Sequence, residues 1–445
     1  MSIIGVLLSG QHKPNDRGEL IMFDINQRKG LFVLSVLLLS AAWAWTQDWP
    51  QWRGMNRDGH SMEVGLLKQW PKEGPKLLWQ IDDLGSGYAT PSVSGGRIYL
   101  MSNKGLEDEF VNALDVKDGK ELWSTRIGKV GNPNQNPNFP AARSTPTVDG
   151  ALVYALGSDG DLVCLESATG KVSWHKSLRK DFGGLAPTWA YSESPLVDGN
   201  VLVCTPGGNN STIVALDKRS GETIWESAVP GGGMAGYASL IIANIGSIKQ
   251  YIAYLASGLV GVEAKTGRFL WRYEKNKGAL GMSIQTPVFG DNFVYSGANR
   301  VGGAAVKLNA SQGTVTAEEA YFDTKLPTAI GGTVLVGDYL YGSSQTNVMC
   351  VELRTGRIKW TARSIAPVSF CYADGLFYLH SEDGDVALIE ASPEAYRELG
   401  RFTPPNQPKH SNPMEKAWAY PIIADGRLYI RDMNILWCYD IKAPK

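Results

Sequence analysis

Eight times along this chain an apolar run is closed by an acidic or amide residue, at Asp115, Glu166, Asp217, Glu263, Asn309, Glu352, Glu390 and Asp440. After the first six, glycine follows at a constant offset (Gly119, Gly170, Gly221, Gly267, Gly313, Gly356), and tryptophan at a further constant offset as Trp123, Trp174, Trp225, Trp271 and Trp360. Ala317 and Glu398 take the tryptophan place in the fifth and seventh units. The unit ending at Trp174 shows the content of each repeat. Three apolar runs, each bounded by an Asp-Gly or Thr-Gly turn (Asp149-Gly150, Asp159-Gly160, Thr169-Gly170), lead to a fourth run that ends in the tryptophan. That is the pattern of a four-stranded antiparallel meander. A unit of 38 to 51 residues holding one such sheet matches a propeller blade.

The chain ends give a separate argument for a closed ring. The last unit, from Trp418, stops after its third strand at Cys438-Tyr-Asp440, and an orphan fourth strand carrying Trp79 stands at the other end, in Gly74 to Ile81. Joining them leaves no open sheet edge. The expected fold is therefore all-β, an eight-bladed propeller of four-stranded antiparallel blades over residues 74–445, closed by the N-terminal strand. The repeated Asp/Glu, Thr-Gly, Trp pattern resembles the PQQ-type (pyrroloquinoline-quinone enzyme repeat) propeller repeat. That resemblance implies that Trp79, Trp123, Trp174, Trp225, Trp271 and Trp360 dock neighbouring blades. The segment Asp48-Trp-Pro-Gln-Trp-Arg-Gly54 with Asn56-Arg-Asp-Gly59 is similar to the preamble of secreted members and reads as an ordered strap within residues 45–73, since its tryptophans would otherwise be exposed apolar surface.

Charge removes one class of partner. Lys plus Arg number 43 against 44 Asp plus Glu, so the cationic surplus that displaces counterions from nucleic-acid phosphates is missing. At the start, Arg28 and Lys29 precede an apolar run, Leu31 to Ala44, ending in Ala42-Trp43-Ala44. This reads as a cleaved signal peptide over residues 1–44, with Met22 a plausible true start. The run is shorter than the ~20 residues of a membrane-spanning helix. The expected location is periplasmic or secreted, with no stable membrane span after cleavage. Of the five cysteines, Cys164, Cys350 and Cys438 fall at one repeat position in different blades, too far apart to bridge. They read as small buried hydrophobes.

Function is carried by residues that break the repeat. The recurrent carboxylates are explained by turns, where Asp, Glu or Asn accept hydrogen bonds from nearby N–H groups. The starts of the innermost strands differ from blade to blade: Tyr88, Arg143, Glu193, Tyr237, Gln285 and Trp418. Such a ring at the channel mouth offers a cation, a carboxylate, an amide and aromatic faces to a flat polar ligand. The bland alternative is that Arg143 and Glu193 pair with each other or with water. Gly131 to Pro140, Phe402 to Pro413 and the Trp189 excursion from Lys180 to Tyr191 are long connections at a rim. The histidines are isolated and make no metal spacing.

These features favour a non-catalytic, monomeric binding propeller with a protein partner or a small polar ligand, no cofactor and no metal. In size and repeat type it resembles the propeller subunit of the outer-membrane barrel-assembly machinery. That subunit is lipid-anchored, whereas no cysteine lies near the cleavage point here. The alternative is a PQQ- and calcium-dependent quinoprotein dehydrogenase oxidising an alcohol or sugar. Members of that kind commonly carry an adjacent Cys-Cys pair over the quinone, which this sequence lacks.

Overall fold

The computed structural model describes residues 48–135, 142–410, 412 and 414–444. The expected signal peptide, Met22 and residues 136–141 of the first long connection lie outside them. The described chain forms eight four-stranded sheets. Blade 1 runs from the strand Ser92–Ser94 to Glu121–Lys129, blade 2 from Thr147–Asp149 to Val172–Ser177, and blade 3 from Leu196–Asp198 to Thr223–Ser227. Blade 4 spans Ile241–Ile245 to Phe269–Tyr273, blade 5 Val288–Gly290 to Thr314–Asp323, blade 6 Thr333–Val336 to Ile358–Ala362, and blade 7 Val368–Ala373 to Glu398–Phe402. In each, strands lie side by side in sequence order from channel to periphery. Blade 8 takes three strands from the C-terminus (Ile422–Ala424, Arg427–Asp432, Ile435–Asp440), and Lys76–Ile81 pairs antiparallel with the last of them. The ring is closed by its two ends, with Trp79 opposite Cys438.

The outermost strand of every blade has a break in register beside its third strand. Such bulges twist an exposed edge away from further pairing. They also set where the docking residue falls. Trp123, Trp174, Trp225 and Trp79 each donate an indole N–H to a carbonyl of the next blade, at Ser167, Lys218, Ala264 and Val116, over 3.1 to 3.2 Å. Trp360 does the same to Ser392 at 2.9 Å. The turn glycine of the next blade lies under the ring. A Cβ on Gly119, Gly170, Gly221 or Gly267 would come within 2.5 to 3.2 Å of the indole, and each already has a positive φ of 71° to 73°. Glycine is thus required there twice over, by conformation and by the close approach.

Three blades depart from this scheme. The positions in register with tryptophan are Tyr321 in blade 5 and Gly400 in blade 7, not Ala317 and Glu398 as constant offsets predict. Blade 5 has a longer hairpin, with ten-residue strands Gly302–Ser311 and Thr314–Asp323, and this moves the equivalent position four residues on. Tyr321 docks as the tryptophans do, its hydroxyl donating to Leu353 O at 2.7 Å with its ring against Gly356. Trp271 keeps the sequence pattern but stays within its own blade, donating to Gln250 Oε1 at 2.7 Å. Nothing stands within 4 Å of a Cβ on Gly313. Blades 4 and 5 are joined instead by Glu319, which accepts from the Tyr273 hydroxyl and pairs with Lys275. At Gly400 the gap is filled from outside the repeat, by Trp70.

The recurrent carboxylates sit at turns. Asp115 accepts from Lys117 N, Asp217 from Arg219 N and Ser220 N, and Glu166, Glu263 and Glu352 from a threonine hydroxyl three residues on. The cysteines are all buried and free. Cys164, Cys350 and Cys438 lie opposite the docking tryptophans Trp174, Trp360 and Trp79.

Candidate functional site

Where eight three- to six-residue inner strands converge, their backbone groups facing the axis need partners. The N-terminal strap supplies them. Trp49 exchanges two backbone hydrogen bonds with Val93 of blade 1, and Pro50 O accepts from Val148 N of blade 2. Arg57 donates to Ser194 O and Pro195 O at the start of blade 3 and to Leu240 O beside blade 4. Trp52 Nε1 donates to Thr286 Oγ1 just before blade 5. Arg53 donates to Thr333 O of blade 6, and the His60 ring hydrogen-bonds Leu335 O. Gly59 and Ser61 bond Tyr372 of blade 7, and Ser61 Oγ donates to Ile423 O of blade 8. One segment thus bonds to the inner strand, or to the residues just before it, in all eight blades, a placement open only to a plug on the axis. The two tryptophans and two arginines of the leading motif are among its contact residues.

The plug makes a blind cup of the channel mouth, with a cavity of about 250 Å³. Trp52 and Tyr420, in edge-on contact at 4.6 Å between ring centres, close it on the channel side. Its wall carries Tyr88 packed on Trp418 (4.8 Å), and Trp189 beside Tyr237 (6.3 Å), whose hydroxyl oxygen accepts the Trp189 backbone N–H. Met282, Ile284 and Ile330 complete the apolar lining, and Ser192 and Ser239 add hydroxyls. Among the described residues, the one charged residue of the lining is Arg143, its guanidinium carbon 5.9 Å from the centre of the Tyr88 ring. Burial lowers the Arg143 pKa, while Tyr88, Glu109 and Tyr237 pull it back up. Arginine keeps its charge under such a shift.

Of the six residues singled out at strand starts, Tyr88, Arg143, Tyr237 and Trp418 line the cup. Glu193 and Gln285 do not. Their neighbours Ser192 and Ile284 take the cup face, because successive residues of an extended chain point to opposite sides. Gln285 is buried and donates to Ala329 O at 2.6 Å, tying blade 5 to blade 6. Glu193 is also buried; burial pushes its carboxyl up to about 8, against hydrogen bonds from Thr205 and the charge of Arg57. Its cationic neighbour is therefore the plug's Arg57, not Arg143. Behind Arg143, Glu109 is fully buried, accepts Ser158 N–H at 2.6 Å, and is pushed up by burial to about 7. Sequence reasoning missed Trp52 and Tyr420 at this site. The signal for Tyr420 was its place two residues beyond Trp418, on the same face of an extended chain.

A family model described as outer membrane protein assembly factor BamB matches residues 61–186 and 107–362. The chain belongs to this PQQ-type propeller family. Among curated relatives of this PQQ-type propeller, the BamB of Xanthomonas campestris is 26% identical over 182 residues, covering 40% of this chain and 41% of its own. The tetrathionate hydrolase of Acidithiobacillus ferrooxidans is 24% identical over 299 residues, 63% of this chain and 54% of its own. The chain spans about half the length of these relatives or less. Among solved structures, BamB from Moraxella catarrhalis aligns with a TM-score of 0.57 at 16% identity, over 85% of this chain and 99% of that one. The quinohemoprotein alcohol dehydrogenase of Pseudomonas putida HK5 aligns with a TM-score of 0.61 at 13% identity, over 90% and 81%. These structural likenesses agree with the fold and carry no activity with them.

A calcium-assisted quinone does not fit the cup of this PQQ-type propeller. Calcium takes six to eight oxygen ligands, with carboxylates prominent among them, and among the described residues the lining has neither carboxylate nor side-chain amide. Among the described residues, no three His, Cys, Asp or Glu side chains form a metal-binding group.

Proposed function

We propose that this protein is an exported, non-catalytic binding propeller that holds a segment of a partner protein in its aromatic cup. The observation that carries this reading is the cup itself: six aromatic rings, three aliphatic or thioether side chains and one guanidinium around a closed-bottomed cavity. Aromatic residues and arginine are the side chains that anchor protein interfaces, because they bury large rigid areas at low entropic cost. Among the described residues the lining contains two serines but no histidine or carboxylate, so none of them pairs a nucleophile with a base as acyl or phosphoryl transfer needs. The relatives named assembly factor BamB support a protein partner. The basic and apolar run at Arg28 to Ala44 supports export.

The test is a titration of the purified protein with an array of short apolar peptides lacking tryptophan, followed by intrinsic fluorescence. Saturable quenching is expected, with affinity falling at least about tenfold, or 1.4 kcal/mol, in the Tyr237→Ala/Trp418→Ala double variant. Unchanged binding in that variant moves the site elsewhere. Dye reduction with an alcohol or sugar after adding PQQ and calcium would replace the binding reading with the dehydrogenase.

A further inference from the structure

The cup is closed from below by Trp52 and Tyr420, so a polypeptide cannot thread through it. Only a chain end or a single side chain can enter. The rim above is unequal. Between blades 2 and 5 three large apolar residues stand on adjacent loops, Leu185 at 46%, Met234 at 39% and Leu280 at 83% exposure. The loops are tied together: Ala235 N donates to Leu185 O, and the Met234 methyl lies 3.9 Å from the position of a Cβ on Gly281. Leu280 has left-handed backbone angles (φ 54°, ψ 27°) in the turn Ala279–Gly281. On the loop leading to Trp418, Lys416 pairs with Asp383 at 2.7 Å, Glu415 is buried and Met414 is 52% exposed. Among the described residues, the ledge of Leu185, Met234 and Leu280 ends beside the lining residues Trp189, Tyr237 and Met282.

We propose that the cup takes the carboxy-terminal residue of a partner polypeptide. A large apolar side chain lies among Trp189, Tyr237, Met282 and Trp418, the terminal carboxylate meets Arg143, and the preceding residues extend over Leu185, Met234 and Leu280. This rests on the reading of the cup as a binding site. Charge complementarity selects the terminus. A guanidinium matches a carboxylate through paired N–H···O bonds, and a terminal residue alone bears an apolar side chain and a carboxylate on the same α-carbon. An internal Asp or Glu could offer Arg143 its carboxylate, but it carries no apolar side chain on the same α-carbon to lie among the rings. A sugar would meet few hydrogen-bonding groups, since Arg143, two serines and the tyrosine hydroxyls are set among rings. A free aromatic acid would leave the ledge unused.

The experiment compares a capped pentapeptide acid ending in Leu-Phe, the same peptide as its C-terminal amide, and N-acetylphenylalanine, by calorimetric titration of the intact protein. The acid is expected to bind about tenfold or more tightly than the amide, as for a charge-assisted pair. Arg143→Gln should bring that ratio close to one by weakening the acid far more than the amide, and Arg143→Lys should restore part of it. Met234→Ser with Leu280→Ser should weaken the pentapeptide several-fold and leave N-acetylphenylalanine untouched. Equal affinity for acid and amide overturns the terminal-carboxylate inference while the cup reading stands. Equal affinity for the pentapeptide and N-acetylphenylalanine overturns the peptide and assigns a small acid. No saturable heat with any of the three removes both readings.

Discussion

The seam between blades 2 and 3 and the seam between blades 7 and 8 meet the same packing need from different sources. At the first, Trp174 reaches from its own outer strand, donates to Lys218 O and lies on Gly221. At the second, the position in register is Gly400, and an indole comes from the strap. Trp70 donates its backbone N–H to Leu399 O, covers Gly400, and packs on Tyr378 and Phe402 at 5.8 and 5.3 Å. The seventh unit is therefore a repeat adapted to receive another part of the chain, and a tryptophan at residue 400 would clash with Trp70. The strap belongs to the propeller twice, as a wedge between blades 7 and 8 and as the plug on the axis.

Removing the wedge gives the largest expected effect. Trp70 is 5% exposed, and Trp70→Ala should cost about 3–5 kcal/mol, as for buried aromatic truncations. Trp174 is only half-buried, so Trp174→Ala should cost less, about 2 kcal/mol. Thermal unfolding of the two variants side by side checks the order. If Trp174→Ala lowers the midpoint as much as Trp70→Ala does, the strap is an ornament on a ring that holds itself.

The repeat was legible because a blade seam demands the same side chains at the same places, which leaves a period in the sequence. Ring closure was legible for the same reason, through Trp79. What the period could not show is where a seam departs from it. Ala317 and Glu398 occupy the constant offset, but hairpin length and bulge position put Tyr321 and Gly400 in register. The plug was hidden too, since Arg53 and Arg57 bind backbone carbonyls, and every sequence supplies carbonyls. At the cup, four of six strand-start residues were in place. Glu193 and Gln285 miss it by one residue, the step that turns a side chain from the cavity to the blade interior.

A smaller effect separates docking from turn conformation. Gly221 and Gly313 have nearly the same φ, 73° and 75°, but Trp174 lies 2.9 Å from a Cβ on the first and nothing lies near the second. Gly313→Ala should cost about 1 kcal/mol for the left-handed backbone alone. Gly221→Ala should cost that and a displaced indole, about 2–3 kcal/mol in all. Equal losses in chemical denaturation would mean that the ring on Gly221 adds nothing to the constraint on that turn.

The smallest expected effect concerns the strap's grip on blade 3, which uses charge where the blade 7–8 seam uses an indole. Glu193 is buried beside Arg57, and burial raises its folded pKa to about 8 from an ordinary value near 4.5. A carboxyl raised on folding favours the folded state fully below its unfolded pKa, and that contribution is lost as pH climbs towards the folded pKa. Stability should therefore decline between about pH 4.5 and pH 8. Glu109, pushed up to about 7, adds a slope of the same sign that persists in any Glu193 variant. The difference between the wild type and Glu193→Gln isolates Glu193. The melting midpoints should lie closest at pH 5, and the variant's lead should grow steadily as pH rises to 8.5. Parallel curves across that range would mean that Glu193 is ionised throughout and paired with Arg57, so that this contact with the plug is an ion pair at every pH tested.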